Sequence, residues 1–112
     1  MKYVLLIHWN EKTGLARPAV EEEELAAHGE FVDALGARLV AGERLRPTAD
    51  GRKVTVRGGR PLVTDGPFAE SKEVLGGYYV IECASLEEAV GWAGRCPSAK
   101  HGTVEVRPVW TR

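Results

Sequence analysis

The chain has 112 residues, a hydrophobic fraction of 44%, a charged fraction of 28% and a formal net charge of −1. These values predict one domain, residues 1–112, with the composition of an ordinary soluble globular protein. We expect no nucleic-acid partner, because the Lys and Arg residues are scattered and form no basic stripe. We also expect no membrane association, because no apolar run approaches the ~20 residues that a membrane helix needs.

The first predicted strand is Lys2–Trp9. Its residues alternate between two faces, with Tyr3, Leu5, Ile7 and Trp9 on one and Val4, Leu6 and His8 on the other. Apolar residues on both faces indicate that both faces are covered. His8 ends the second face, either as a polar strand end at the rim or as a ligand-binding residue.

A helix is predicted next, because Pro18 suits a first helical position and Glu21–Glu24 complement the helix dipole. Its apolar stripe is Leu25, Val32, Leu35 and Leu39. His28 is the one titratable residue on that stripe, and it has two interpretations: an acid–base group, or a core histidine bonded to a backbone carbonyl. Gly29 and Gly36 predict the close approach of another backbone.

Three strands are predicted in the middle of the chain, at Leu39–Leu45, Lys53–Arg57 and Arg60–Thr64. The last two flank Gly58-Gly59, which is typical of a two-residue hairpin turn. Val54 and Val56 are expected on the buried face of this hairpin. We interpret the hairpin as an insertion between the two halves of a smaller unit.

The carboxyl-terminal part of the chain predicts a strand over Gly77–Cys83 and a last strand over Thr103–Val109. Between them, Ser85 and Glu88 have the spacing of a capping box, and Pro97 ends the helix. The order strand, helix, strand, hairpin, strand, helix, strand predicts a ferredoxin-like α+β fold, βαββαβ with an inserted β-hairpin.

The helices of such a fold cover one face of the sheet only. Val4, Leu6 and one of Tyr78 or Tyr79 would line the other face, and a large apolar face of this kind indicates an interface. We therefore expect a homodimer in which two sheets form a dimeric α+β barrel, with an interior that holds a small ligand.

The segment of residues 64–77 is neither a tight turn nor a polar linker. Asp65-Gly66-Pro67 predicts an irregular backbone, and Phe68 places a large apolar ring in a loop that also carries Glu70 and Lys72. A loop of this composition is a candidate ligand-binding element. The alternative is a well-packed connection in which Asp65 caps the turn and Phe68 fills the core.

The run TDGPFAESKEVLGGYYVIEC, followed by SLEEAVGWAGRCPSA and GTVEVRPV and preceded by KYVLLIHW, resembles the DGPF proteins of the YciI-related (YCII) superfamily. The resemblance covers nearly the whole chain. It implies a ferredoxin-like α+β domain that dimerises through its sheet. Some members are encoded beside sigma factors or fused to them, and at least one relative is a dehydrochlorinase of a chlorinated aromatic.

The acid–base prediction rests on His28 and Asp65. His28 would be the general acid or base, and Asp65 would orient it or act as the base itself. YciI-like proteins carry a histidine early in the first helix and a nearby aspartate, proposed as a catalytic dyad. His28 is at a similar place, where many DGPF relatives have a tyrosine, and Glu43 occupies the position of that aspartate.

No metal or cofactor is predicted, because the three histidines have no ligand spacing and the two cysteines, Cys83 and Cys96, lie in different elements. Neither cysteine has the cation at a helix start that activates a thiol. Two widely spaced cysteines without a CxxC motif favour a reduced, cytoplasmic protein.

Two classes of function remain open. One is a cofactor-independent acid–base lyase or isomerase acting on a small organic substrate. The other is a small-ligand-binding or regulatory module without turnover, with a transcription factor as its partner. In either class the candidate ligand-binding residues are His8, Phe68, Glu70, Lys72, Tyr79 and Arg107. The alternative for Arg107 is a solvated ion pair with Glu105.

Overall fold

The computed structural model describes residues 1–11, 18–67 and 73–111, and for residues 18–21 it describes the backbone alone. The strands are β1 (Lys2–Trp9), β2 (Leu39–Arg44), β3 (Arg52–Arg57), β4 (Arg60–Asp65), β5 (Val74–Glu82) and β6 (Thr103–Pro108). The helices described are α1 (Pro18–Leu35) and α2 (Leu86–Arg95), and 3₁₀ turns span Gly36–Arg38, Thr48–Asp50 and Pro97–Lys100. None of the helices in the described ranges is long and apolar enough to cross a membrane.

The main sheet is antiparallel, with four strands in the order β2-β5-β1-β6, and β3 and β4 form a separate two-stranded sheet. α1 lies between β1 and β2 along the chain, and α2 lies between β5 and β6. The prediction of a ferredoxin-like α+β fold with an inserted β-hairpin is therefore confirmed. The dimeric barrel needs a second sheet and stays a prediction.

The core lies between this sheet and the two helices. Tyr3, Leu5 and Ile7, which the alternation places on one face of β1, are all buried. They pack with Phe31 and Leu35 of α1, and with the β5 and α2 residues Ile81, Cys83, Ala89 and Ala93. Burying these apolar side chains is the main favourable contribution to folding.

The start of α2 is as the capping pattern predicts. The Glu88 amide donates a hydrogen bond to the Ser85 hydroxyl oxygen at 3.2 Å, and the Ala84 amide donates to the Glu88 carboxylate at 2.9 Å. These two bonds satisfy backbone donors that a helix start otherwise leaves without partners. The helix that begins there buries Ala89 and Ala93 in the core.

The two glycines of the first helical segment do not mark a close backbone approach, so that prediction is wrong. A Cβ added at Gly29 or at Gly36 would meet no atom within 4 Å. Gly36 instead has a φ of +55°, a conformation that glycine adopts without the steric cost of a side chain, and it follows the last residue of α1.

The β3–β4 hairpin is also different from expectation. Val54 and Val56 were expected on a buried face, but they are 62% and 60% exposed, and every residue of both strands is exposed. The reason is that α1 and α2 cover the four-stranded sheet, and the hairpin is a separate sheet. The radius of gyration, 15.7 Å, exceeds the about 13 Å expected for a chain of this length, consistent with a projecting hairpin.

The face of the main sheet opposite the core, called the open face below, carries a row of half-buried apolar residues. Val4 pairs with Val80 and Leu6 pairs with Tyr78, which places these four side chains on one side of β1 and β5. Tyr79 therefore lies on the helical side, where it packs against the core.

Candidate functional site

A cavity of about 280 Å³ lies between α1 and the main sheet. Its apolar wall is formed by Ile7, Trp9, Leu25 and Val32. An engineered apolar cavity of about 150 Å³ binds benzene, so this cavity has room for a single ring that carries substituents. Its position on the helical side of the sheet differs from the expected position between two facing sheets.

Glycines make room for two aromatic rings at this cavity. Gly42 faces Tyr79 across the β2–β5 ladder, and a Cβ at Gly42 would lie 2.7 Å from Cδ1 of that ring. A Cβ at Gly76 would collide with the indole of Trp9. Only glycine leaves room for these rings, which explains why Gly42 and Gly76 lie within strands. β5 therefore includes the glycines and begins at Val74, earlier than the predicted start at Gly77.

A chain of hydrogen bonds runs along the polar wall. Nδ1 of His28 lies 2.7 Å from the Tyr79 hydroxyl oxygen, and Nε2 lies 2.9 Å from Oγ of Ser98. The Ser98 hydroxyl donates a hydrogen bond to Oε1 of Glu24 at 3.3 Å. All four residues line the cavity. The arrangement joins a phenol, an imidazole, an alcohol and a carboxylate in one continuous path.

Three different elements position these side chains. Glu24 and His28 are four residues apart on α1, a spacing that places both on one face of the helix. Tyr79 projects from β5, where its ring stacks on His28 at 5.8 Å between centroids and meets Phe31 edge-on at 5.3 Å. Ser98 is buried in the 3₁₀ turn that follows α2.

Burial sets the protonation states of the polar wall, and nearby charges modify them. Burial lowers the pKa of His28 below its ordinary value of 6.5, Glu24 opposes the shift and Arg44 adds to it. Burial, with a contribution from Cys96, raises the pKa of Tyr79 to about 12. At neutral pH the imidazole is therefore a neutral base, and the phenol keeps its proton.

The cysteines are poor nucleophiles here. Cys83 and Cys96 are free and buried, and burial raises the pKa of each thiol. Because the thiolate is the reactive form, neither residue provides a nucleophile at neutral pH. The acid–base groups of the wall are the chemistry that this site offers.

Of the two residues predicted as a catalytic pair, His28 lies at the cavity and Asp65 does not. Asp65 ends β4, where Oδ1 accepts from Nε of Arg52 at 2.7 Å, and it is not among the described residues that line the cavity. The separate sheet of the hairpin explains this placement. The nitrogens of His28 are bonded to Tyr79 and Ser98, and a backbone carbonyl is not their partner.

The other predicted ligand-binding residues fall into three groups. Tyr79 lines the cavity. Nε2 of His8 lies 3.3 Å from Oε1 of Glu105, and Nε of Arg107 forms an ion pair with Oε2 of the same carboxylate at 3.7 Å, at the sheet surface. The remaining three, Phe68, Glu70 and Lys72, lie outside the residues that the structure describes.

Sequence reasoning missed Glu24, Arg44 and Ser98 as site residues. Glu24 has a usable signal, since it precedes His28 by one helical turn, but its charge was assigned to the helix dipole alone. Ser98 has no such signal, because it lies 70 residues from His28 in the chain. Arg44 is the last residue of β2, and the pairing of β2 with β5 places it at the cavity.

Comparisons with known proteins agree with this fold. The model of the YCII-related domain matches residues 1–111. An uncharacterised protein of Rhizobium meliloti (strain 1021) is 36% identical over 116 aligned positions, which cover 97% of this chain and 92% of that protein.

A solved structure is similar in fold. The 5-chloro-2-hydroxyhydroquinone dehydrochlorinase of Burkholderia phenoliruptrix AC1100, in complex with 2,5-dihydroxybenzoquinone, superposes with a TM-score of 0.52. Its sequence is 17% identical, and the superposition covers 99% of this chain and 94% of that one. At this identity the likeness is one of fold alone. Together with the match over residues 1–111 and the Rhizobium relative, the motifs of the sequence lead to one conclusion: the chain belongs to the YCII-related family.

Proposed function

We propose that this protein is a cofactor-independent acid–base enzyme, a lyase or isomerase, whose substrate is a small organic molecule bound between α1 and the main sheet. One observation carries the proposal: His28, hydrogen-bonded at both ring nitrogens, lies in the wall of a cavity of about 280 Å³. A histidine of lowered pKa is a neutral base at pH 7 and accepts a proton in the reaction.

The surroundings of His28 support proton abstraction. The apolar residues Ile7, Trp9, Leu25 and Val32 would pack against a bound ring, and a ring that displaces water there strengthens electrostatic interactions within the site. Charged side chains of both signs, Arg44, Glu24 and Glu43, line the same cavity, so polar substituents of a substrate meet charged groups there. An elimination or an isomerisation needs these features and no further group.

The choice of probe follows from the size of the cavity. A substituted single ring fits, and the substrate named for the structural neighbour, 5-chloro-2-hydroxyhydroquinone, is of that size. Its 2,5-dihydroxybenzoquinone ligand is a second probe, suited to binding measurements. Both compounds carry hydroxyl groups, which can form hydrogen bonds with the polar wall of Tyr79 and His28.

The test is chloride release from 5-chloro-2-hydroxyhydroquinone by the wild-type chain and by His28→Gln. We expect the substitution to lower kcat/KM by about 10²-fold or more, the usual contribution of a general base. His101→Gln is the matched control, because His101 is exposed and does not line the cavity. Equal losses in both variants would contradict the assignment of His28.

The ligand-binding or regulatory module remains the second candidate function. Saturable binding of 2,5-dihydroxybenzoquinone, combined with no turnover of the chlorinated compound, would favour it. The pH dependence separates the two further, since kcat/KM of the enzyme should fall as pH drops through the lowered pKa of His28.

The homodimer is part of the same proposal. Val4, Leu6, Tyr78 and Val80 form an apolar row on the open face that the helices do not cover. A specific interface there should exceed about 1,000 Å². Leu6→Glu should shift sedimentation from dimer to monomer, whereas Val90→Glu on the exposed side of α2 should not. A monomeric wild-type chain at micromolar concentration would contradict this part of the proposal.

Location in a reducing compartment, the cytoplasm, is the last part of the proposal. Its support is that Cys83 and Cys96 are both free and both buried. A reporter fusion that localises the protein to another compartment would contradict it.

A further inference from the structure

We propose that Tyr79 is the residue that exchanges a proton with the substrate, and that His28, Ser98 and Glu24 form a hydrogen-bonded relay behind it. This inference rests on the proposed acid–base function and deepens it. The geometry that points to it is the continuous path of three hydrogen bonds along the cavity wall, from the phenol to the carboxylate.

The donor and the acceptor of each hydrogen bond follow from the carboxylate of Glu24, where the path ends. An ionised Glu24 only accepts, so the Ser98 hydroxyl donates to it. Oγ of Ser98 then accepts from His28, which places the single imidazole proton on Nε2. Nδ1 carries no proton and accepts from the Tyr79 hydroxyl. The network thus assigns one tautomer to His28.

One competing acceptor lies close to Ser98. The sulfur of Cys96 interacts with the Ser98 side chain, and a Ser98 proton directed at sulfur would leave Glu24 without this donor. A carboxylate is a much stronger acceptor than a neutral thiol. The hydroxyl therefore donates to Glu24.

Of the four residues in the hydrogen-bonded path, Tyr79 is the one that contacts the substrate. Both nitrogens of His28 are engaged, so a ligand reaches the imidazole only after it displaces a hydroxyl. The Tyr79 oxygen uses its proton toward His28, and its lone pairs remain as hydrogen-bond acceptors. Tyr79 lines the cavity, so those lone pairs are available to a bound ligand.

The proton transfer balances without a cofactor. A C–H or O–H bond of the substrate breaks, its proton binds the Tyr79 oxygen, and the original Tyr79 proton moves to Nδ1 of His28. In an elimination, the electron pair of the broken C–H bond forms the new double bond, and the leaving group departs with its own pair. Tyr79 ends as a neutral phenol, as its pKa of about 12 requires, and His28 ends as an imidazolium.

The relay stabilises that imidazolium. Its Nε2–H still donates to Ser98, its new Nδ1–H donates to the Tyr79 oxygen, and the Glu24 carboxylate lies beyond Ser98. The proton then returns through Tyr79 to the product or to solvent. Glu24 does not touch the substrate in this scheme and is a positioning residue.

Titratable and charged groups lie around His28 on each of the described elements that pack against it. Glu24 of α1, Glu43 and Arg44 of β2 and Tyr79 of β5 line the cavity with His28, and Cys96 precedes the 3₁₀ turn that carries Ser98. Glu24 raises the pKa of His28, and Arg44 lowers it. Glu24→Gln should therefore move the acidic limb of a pH profile to lower pH, a change that a purely structural role would not cause.

The first arm of the test compares Tyr79→Phe with wild type in chloride release from 5-chloro-2-hydroxyhydroquinone. The variant keeps the ring that packs against Phe31 and loses only the hydroxyl. We expect kcat to fall by about 10²- to 10⁴-fold. Tyr3→Phe is the matched control, because Tyr3 is a buried tyrosine of the same sheet that does not line the cavity. Wild-type activity in Tyr79→Phe would overturn the proposal.

The second arm needs no substrate. Long-range ¹H–¹⁵N NMR spectra of the full chain report which nitrogen of His28 carries the proton, and we expect Nε2. The Nδ1–H tautomer would overturn the relay. Glu24→Gln should lower the titration midpoint of His28, and Glu22→Gln, an exposed carboxylate of the same helix, serves as its control. An unmoved midpoint in Glu24→Gln would remove Glu24 from the relay.

The two arms separate this inference from the proposed function. An active wild type with an equally active Tyr79→Phe overturns the relay and leaves the acid–base function standing. A wild type inactive on the chlorinated probe, with the Nε2–H tautomer present, counts against the function and supports the hydrogen-bonded relay.

Discussion

Strand β5, which contributes Tyr79 to the cavity wall, and the β3–β4 hairpin both have the alternating pattern of a strand, but β5 is covered and the hairpin is exposed. In β5, Tyr79 and Ile81 alternate with outward residues and lie beneath the helices. In the hairpin, Val54 and Val63 face each other across the ladder with the same alternation, and both are more than half exposed. Alternation therefore predicts a strand, but the cover from α1 and α2 decides which strands are buried.

The same contrast holds for the titratable groups. His28 projects from α1 into the space between the helix and the sheet, where burial lowers its pKa and two hydroxyls hold its ring. Asp65 and Arg52 form a short ion pair at the exposed end of the hairpin, where water screens the interaction. The burial of His28 and the shift in its pKa make the first environment the one suited to acid–base chemistry.

The largest expected effect compares the two regions directly. Ile81→Ala removes a fully buried side chain, and we expect a loss of about 2–5 kcal/mol in the free energy of unfolding. Leu62→Ala in the hairpin should change it by about 0.5 kcal/mol or less, because Leu62 is 54% exposed. Denaturant unfolding measures both. Comparable losses would mean that another surface, such as a second copy of the chain, covers the hairpin in solution.

A second prediction concerns the space that Gly42 leaves for Tyr79. A Cβ at Gly42 would lie 2.7 Å from the Tyr79 ring, so Gly42→Ala should cost about 1–3 kcal/mol of unfolding free energy and weaken binding in the cavity. Gly29→Ala is the control on the exposed side of α1, where nothing lies within 4 Å. It should stabilise the protein by about 1 kcal/mol. A neutral Gly42→Ala would show that Tyr79 shifts without cost.

The third prediction is a pH dependence of stability due to His28. Its pKa in the folded protein is below the ordinary 6.5, so the unfolded chain binds more protons, and stability should fall as pH drops below 6.5. The slope should stay below the ~1.4 kcal/mol per pH unit of one whole proton. His28→Gln should flatten this part of the curve, and His101→Gln should not. A wild-type slope retained in His28→Gln would assign the dependence to other groups.

The smallest expected effect is that of Asp65→Asn. Breaking the exposed pair with Arg52 should cost less than about 1 kcal/mol, and less still in high salt. We also expect the NMR titration midpoint of His28 to stay at its wild-type value. A shifted midpoint would show that Asp65 reaches the cavity, through the same chain or a second copy, as the predicted His28–Asp65 pair requires.

Local chemistry explains what could be predicted from the sequence. The alternation of Tyr3, Leu5 and Ile7 identifies the buried face of β1, because side chains of a strand alternate by geometry. Ser85 and Glu88 identify the start of α2, because a capping side chain accepts a hydrogen bond from the amide three positions later. His28 was recognisable as the one titratable residue of an apolar stripe. Each of these inferences needs only residues that are near one another in the chain.

The partners of His28 were decided by the tertiary structure. Tyr79 is 51 residues away and Ser98 is 70, and their approach depends on the packing of α1 over β5 and over the 3₁₀ turn after α2. Neighbouring residues of β5 point to opposite sides of the sheet, so only the strand pairing with β1 shows that Tyr79 faces the cavity and Tyr78 the open face. The prediction that Val54 and Val56 are buried was wrong for the same reason. Whether a strand is buried depends on which elements pack against it, and the alternation of its residues does not show this.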